Sequence, residues 1–182
     1  IHPSYPDKIN FGRKSLTINN NDLISALNEQ IELGLNSAEE LNIKINHIKL
    51  HGALYNDLVS DFNKSNLVLD LLKSYQYPFA IYAHPNSQLI NLAKPFFEVV
   101  PEAFIDRNYN SDGTLARRTE KNALIENSML AWKHLERMVE ENRIMIDIDQ
   151  FIPLVAKTYC IHGDNDFAIE ILKEIQNKIA KK

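Results

Sequence analysis

INHIKLHGALYND, residues 45–57, decides the fold. The stretch INHIKL (45–50) is short, partly β-branched and bounded by polar residues, which is the composition of a strand. HGALYND, which follows, reads as the loop that carries a strand into a helix. The same succession recurs on both sides. Upstream, NDLISALNEQIELGLNSAEEL (21–41) places Leu23, Leu27, Ile31, Leu35 and Ala38 on one helical stripe, with Asn21 and Asp22 as capping candidates. Downstream, a helix around SNLVLDLLKSY (65–75) precedes the strand PFAIYA (78–83), the loop HPNS (84–87), a helix around QLINLAK (88–94) and the extended stretch FFEVVPEAFID (96–106). The loop RNYNSDGTLARR (107–118) then leads to the amphipathic segment NALIENSMLAWKHLERMVEEN (122–142), a hairpin of RIMID with FIPLV, the strand TYCI (158–161), the loop HGDN and a C-terminal helix. Strands alternating with helices at this spacing predict parallel strands joined by helical crossovers, an open doubly wound sheet or a barrel, within a single domain over residues 1–182.

Both architectures place ligands at the C-terminal ends of the strands, and the polar residues gather there: His2, Lys49 and His51, His84, Asp106 and Arg107, then His162 and Asp164. Lys49 and His51 are two apart, so a strand points both to one side while Leu50 faces the other; side by side they would depress each other's pKa. Gly52 would then let a substrate approach the backbone. Asp106 and Arg107 are expected either to serve a ligand or to pair with each other or with the arginines that close their loop. Asp164 reads as a ligand contact or a helix N-cap, and Asp7 as a ligand contact or an Asx turn. Trp132 and His134 are assigned to packing or surface, and His47 to the start of a strand.

Composition narrows the function classes. A net charge of −4 offers nucleic acid no broad basic face, and no apolar run reaches the length of a membrane span. The single cysteine, Cys160, excludes an internal disulfide framework and suits a cytoplasmic home. There is no GxGxxG, Walker A or GxSxG sequence, and no HExxH spacing supports a divalent metal, so metal ligands stay unassigned.

Four motifs in order, HPSYPDKINFGRK (2–14), HIKLHGALYND (47–57), EAFIDRNYNSDGTLARR (102–118) and CIHGDN (160–165), resemble the LamB/YcsF family along nearly the whole chain. The family pattern has Lys-Pro-His where this chain has Lys49-Leu50-His51, Phe-Ala-Asp at Phe104-Ile105-Asp106, and His-Gly-Asp-Thr-Pro at His162 to Asp166; the polar members survive each change. The resemblance implies an irregular, TIM-like β/α barrel of the glycoside hydrolase/deacetylase superfamily. It also implies a role as the A subunit of a bacterial 5-oxoprolinase, opening the 5-oxoproline lactam to glutamate with ATP and subunits B and C. On that expectation Lys49, His51, Asp106, Arg107 and His162 are catalytic: Lys49 or Arg107 would stabilise an oxyanion, and His51 or His162 would move protons. His2, Asp7, Gly52 and Asp164 would bind substrate. A metal-dependent carbohydrate deacetylase and a non-catalytic member of the complex are the alternatives. Family members carry an acidic N-terminal strand ahead of HPSYPD, so the strand ending at His2 is expected to be an edge, and the chain to be N-terminally truncated and prone to self-association.

Overall fold

The computed structural model describes residues 1–181. They form two compact units, one spanning Ile1–Val100 and a second beginning at Pro101.

In the first unit, α1 (Asn20–Glu40) buries Leu23, Leu27, Ile31 and Ala38, while Leu35 is half-buried. Its cap is Asn19 rather than Asn21 or Asp22: Asn19 keeps extended backbone, and its side chain accepts from the Asp22 N–H at 2.9 Å. Residues 20–22 are already helical and cannot serve. Strand β1 is shorter than the sequence suggests, His47–Lys49. HGALYND is not a loop but the start of α2 (Gly52–Ser60); Ala53, Leu54, Tyr55 and Leu58 are its buried face. Asp61 then caps α3 (Phe62–Ser74), accepting from the Lys64 N–H at 2.8 Å. Strand β2 (Ala80–Ala83) lies parallel to β1 with Ile48 opposite Ile81, as a helical crossover requires. Ser87 caps α4 (Gln88–Ala93).

Residues 1–13 fold onto the β1–α2 junction. The Lys49 N–H donates to the Ile1 carbonyl at 3.0 Å, the His51 N–H to Pro3 at 2.8 Å and the Ala53 N–H to Gly12 at 2.9 Å. Residues 1–3 thus run beside β1 with the alternating bonds of a parallel ladder, where the sequence predicts the end of a strand. Tyr5, 1% exposed, donates its hydroxyl to Asp57 of α2 at 2.6 Å.

Strand β3 (Val99–Phe104) runs into the second unit and pairs in parallel with β6 (Thr158–Cys160), Phe104 opposite Cys160. Between them lie α5 (Ser128–Glu141) and the antiparallel hairpin β4 (Arg143–Asp147) with β5 (Gln150–Pro153), the hairpin expected from RIMID and FIPLV. The amphipathic run 122–142 is helical only from Ser128. Its first residues instead pair with the loop after β3, the Ile125 N–H donating to the Asp106 carbonyl and the Asn108 N–H to the Ala123 carbonyl, both at 3.0 Å. Helix α6 (Ala168–Ile179) closes the unit over a core of Ile105, Ile125, Ala131, Trp132, Leu135 and Ile171. Trp132 and His134 are both buried, which settles them as packing.

Gly52 holds φ at +65°, and a Cβ there would lie 2.3 Å from the Gly12 carbonyl oxygen, a backbone atom that cannot step aside. A close approach to Gly52 is thus made by the protein's own loop. At Gly163, by contrast, a Cβ would meet nothing within 4 Å. Gly52→Ala is therefore expected to cost about 2 kcal/mol or more, and Gly163→Ala less than about 0.5 kcal/mol, in urea denaturation. Equal midpoints for the two variants would contradict this account of the junction.

Candidate functional site

The predicted site residues fall into two clusters, one in each unit. In the second unit β3 ends at Phe104, and two residues on, the Asp106 carboxylate is fully buried. It accepts from the His162 N–H at 3.0 Å, from His162 Nδ1 at 2.9 Å and from Asn165 Nδ2 at 3.3 Å. Burial alone would raise its pKa. The hydrogen bond and charge of His162, its backbone amide and the Asn165 amide outweigh burial and hold the carboxyl below its ordinary value. The imidazole is locked on a second side by stacking on Phe104, centroids 5.1 Å apart and planes 13° from parallel. A carboxylate on Nδ1 fixes the tautomer that carries its hydrogen there, so Nε2 presents a lone pair, the arrangement of a general base.

Behind Asp106 lies a buried polar layer. The Tyr109 hydroxyl accepts from the Phe104 N–H at 2.8 Å, and burial pushes the phenol well above its usual range. Burial, with Arg137 adding to it, lowers His134 to about 4, so it stays neutral; its Nε2 has no hydrogen-bond partner, and its ring centroid is 5.9 Å from that of Tyr109. Arg107 is 4% exposed and turns its guanidinium onto the carbonyls of Ala116 and Ala123. That geometry makes Arg107 an organiser of the loop after β3. Asp164 is not the cap of α6, whose N-cap is Phe167; its carboxylate meets Arg118 at 3.2 Å.

In the first unit, His2 and His51 come together with their inner ring nitrogens 3.0 Å apart. The outer nitrogens face carbonyls: His2 Nδ1 that of Lys49 at 2.7 Å, His51 Nε2 that of Phe11 at 2.9 Å. The expected neighbour of His51 was Lys49, whose ammonium lies 6.0 Å from the centre of the Tyr55 ring. Alternation along β1 does hold, with Leu50 buried between half-buried Lys49 and His51. Asp7 closes its own loop, accepting from the Asn10 N–H at 3.2 Å and from the Asn10 amide. His84 does likewise within HPNS, its Nδ1 accepting from the Asn86 N–H at 3.2 Å. Asn165, which sequence reasoning passed over, is 5% exposed and bonded to Asp106; its place directly after HGD was the available signal.

Comparisons with known proteins agree on one family. The model of the LamB/YcsF family matches residues 1–182. The protein named as the A subunit of 5-oxoprolinase in Acinetobacter baumannii (strain ACICU) is 33% identical over 181 residues, 99% of this chain and 71% of that one. Its namesake in Campylobacter jejuni subsp. doylei is 34% identical over the same shares. Among solved structures, a lactam utilization protein from Thermus thermophilus matches with a TM-score of 0.84 at 24% identity, covering 99% of this chain and 72% of that one. That likeness establishes an α/β fold in common.

The Asp106 geometry carries a pH consequence. Its folded pKa lies below the unfolded value, so its contribution to stability is complete above the ordinary carboxylate range, about pH 4, and is lost as pH falls through the folded value. Asp106→Asn is expected to flatten the acid limb of stability against pH, measured by urea denaturation between roughly pH 2 and 5. An unchanged slope would mean that Asp106 does not titrate with folding.

Proposed function

The chain belongs to the LamB/YcsF family, whose fold is an irregular, TIM-like α/β barrel, and from that premise we propose that it works as the A subunit of an ATP-dependent 5-oxoprolinase. The observation that carries the reading is the buried Asp106 holding His162 by Nδ1 and by its backbone amide just past the end of a parallel strand. A lactam resists water because its carbonyl is conjugated with the ring nitrogen. In our reading a partner subunit transfers the terminal phosphoryl group of ATP to the ring carbonyl oxygen, and His162 Nε2 takes a proton from water as the water oxygen adds to that carbon. The carbon–nitrogen bond then breaks as a proton passes to the departing nitrogen, leaving an acyl phosphate that a second water hydrolyses to the open amino acid and inorganic phosphate. Asp106 keeps the tautomer and stabilises the imidazolium as it forms.

At the glycine-led helix of the first unit the residues present do not fit ATP phosphates. The one helix among the described residues that begins on a glycine, α2, has its Ala53 N–H donated to the Gly12 carbonyl, so the amide a phosphate would use is taken. Nucleotide chemistry is accordingly assigned to partner subunits B and C, which the naming of the relatives as one subunit of several supports. Nor, among the described residues, do three or more His, Cys, Asp or Glu gather as a donor set for a metal, and no step is routed through one. A cytoplasmic site of action is part of the proposal, and no helix among the described residues is long and apolar enough to cross a membrane.

The test is glutamate release from 5-oxoproline with ATP and subunits B and C, for the parent chain and His162→Gln. We expect release only in the complete mixture and a loss of about 100-fold or more in the variant, with circular dichroism unchanged. Glutamate formed by this chain without ATP, or full turnover by His162→Gln, would sink the reading.

A further inference from the structure

The four ring nitrogens of His2 and His51 form one line: Lys49 carbonyl, His2 Nδ1, His2 Nε2, His51 Nδ1, His51 Nε2, Phe11 carbonyl, at successive contacts of 2.7, 3.0 and 2.9 Å. A carbonyl oxygen only accepts, so His2 Nδ1 and His51 Nε2 must each carry a hydrogen. Two neutral imidazoles have only those two hydrogens. The inner nitrogens would then face each other with lone pairs at 3.0 Å, which is repulsive; a third proton between them turns the contact into a hydrogen bond. We propose that His2 and His51 form a proton-bound imidazole pair with a single positive charge, His51 donating from both nitrogens and His2 accepting, and that this proton positions the loop over the start of α2. The inference stands apart from the reaction proposed above.

Burial, and then the neighbouring His51 and Lys49 charges, push His2 down to about 4 despite the bond to the Lys49 carbonyl, so a second proton is refused and the pair stops at one charge. The charged groups bearing on His2 are His51, Lys49 and the Ile1 amino group, all cationic; Arg13 stands 5.1 Å over the Phe11 ring, and the one carboxylate of the loop, Asp7, is bonded to Asn10. Hydrogen-bond geometry holds the proton between the inner nitrogens. Phe11 shows what depends on it. Its φ is +53°, a left-handed conformation unfavourable for an aromatic residue, and its carbonyl is the acceptor for His51 Nε2 while its ring stands edge-on to the imidazole at 5.0 Å. Loss of the proton leaves lone pairs opposed, and one ring must turn away from its carbonyl, freeing Phe11 to relax.

Long-range proton–nitrogen correlation of the histidine rings in the ¹⁵N-labelled chain tests this, with His2→Leu as the comparison. At pH 7 we expect both His51 nitrogens in the protonated range, His2 protonated at Nδ1 only, and a scalar coupling between the inner nitrogens. Raising the pH should discharge the pair in one step that moves the Phe11, Gly12 and Ala53 amides together. In His2→Leu the His51 midpoint should fall by about one pH unit or more. Two neutral rings at pH 7, or a His51 midpoint unmoved in His2→Leu, would overturn the proposal. If His2→Leu does not fold, the ring spectrum of the parent chain decides alone.

Discussion

Three alternate backbone amides, at Lys49, His51 and Ala53, give their hydrogens to the carbonyls of Ile1, Pro3 and Gly12, and the order of the first unit depends on those bonds. A strand of only His47–Lys49 has few ladder bonds of its own. The N-terminal stretch supplies the missing acceptors on one side, and β2 pairs on the other. Because the third bond falls on the first turn of α2, the same segment fixes where the helix begins, and so where the His51 side chain points. Tyr5 extends the attachment: burial raises its phenol to about 12, so it remains a donor to Asp57 at neutral pH.

The second unit solves a different electrostatic problem. A fully buried carboxylate is costly unless its lone pairs are occupied, and Asp106 has a backbone amide, an imidazole and a side-chain amide on it. The groups that make burial tolerable are also those that aim His162, so stability and ring orientation have one cause.

Much of this was legible from the chain. Alternating short apolar strands and amphipathic helices announced a parallel α/β fold, and the polar residues at strand ends named most of both clusters. What stayed hidden depended on contacts between distant residues. His51 was read beside Lys49, its neighbour in sequence, yet its ring bonds to a histidine 49 positions away. Arg107 was read as facing a ligand or a carboxylate, and the carbonyls that the folded-back loop after β3 offers it were not foreseen. The helical pattern of 122–142 began too early because periodicity cannot register that the Ile125 amide is already used by Asp106. Gly52 was singled out, and the loop carbonyl that closes on it was not foreseen.

The contact between Gly12 and Gly52 joins two motifs that lie far apart in the chain. With a would-be Cβ at 52 only 2.3 Å from the Gly12 oxygen, the loop has no clearance for any other residue there, whatever its chemistry. The two segments are therefore a matched set in inheritance as well as in space. Grafting the 2–14 loop of a distant relative onto this chain will succeed only if that relative also brings its loop down onto a bare backbone, and a lineage that loses the glycine must rebuild the loop in the same step or pass through a misfolded intermediate. Recombination breakpoints between these motifs should accordingly be rare, even though some forty residues separate them.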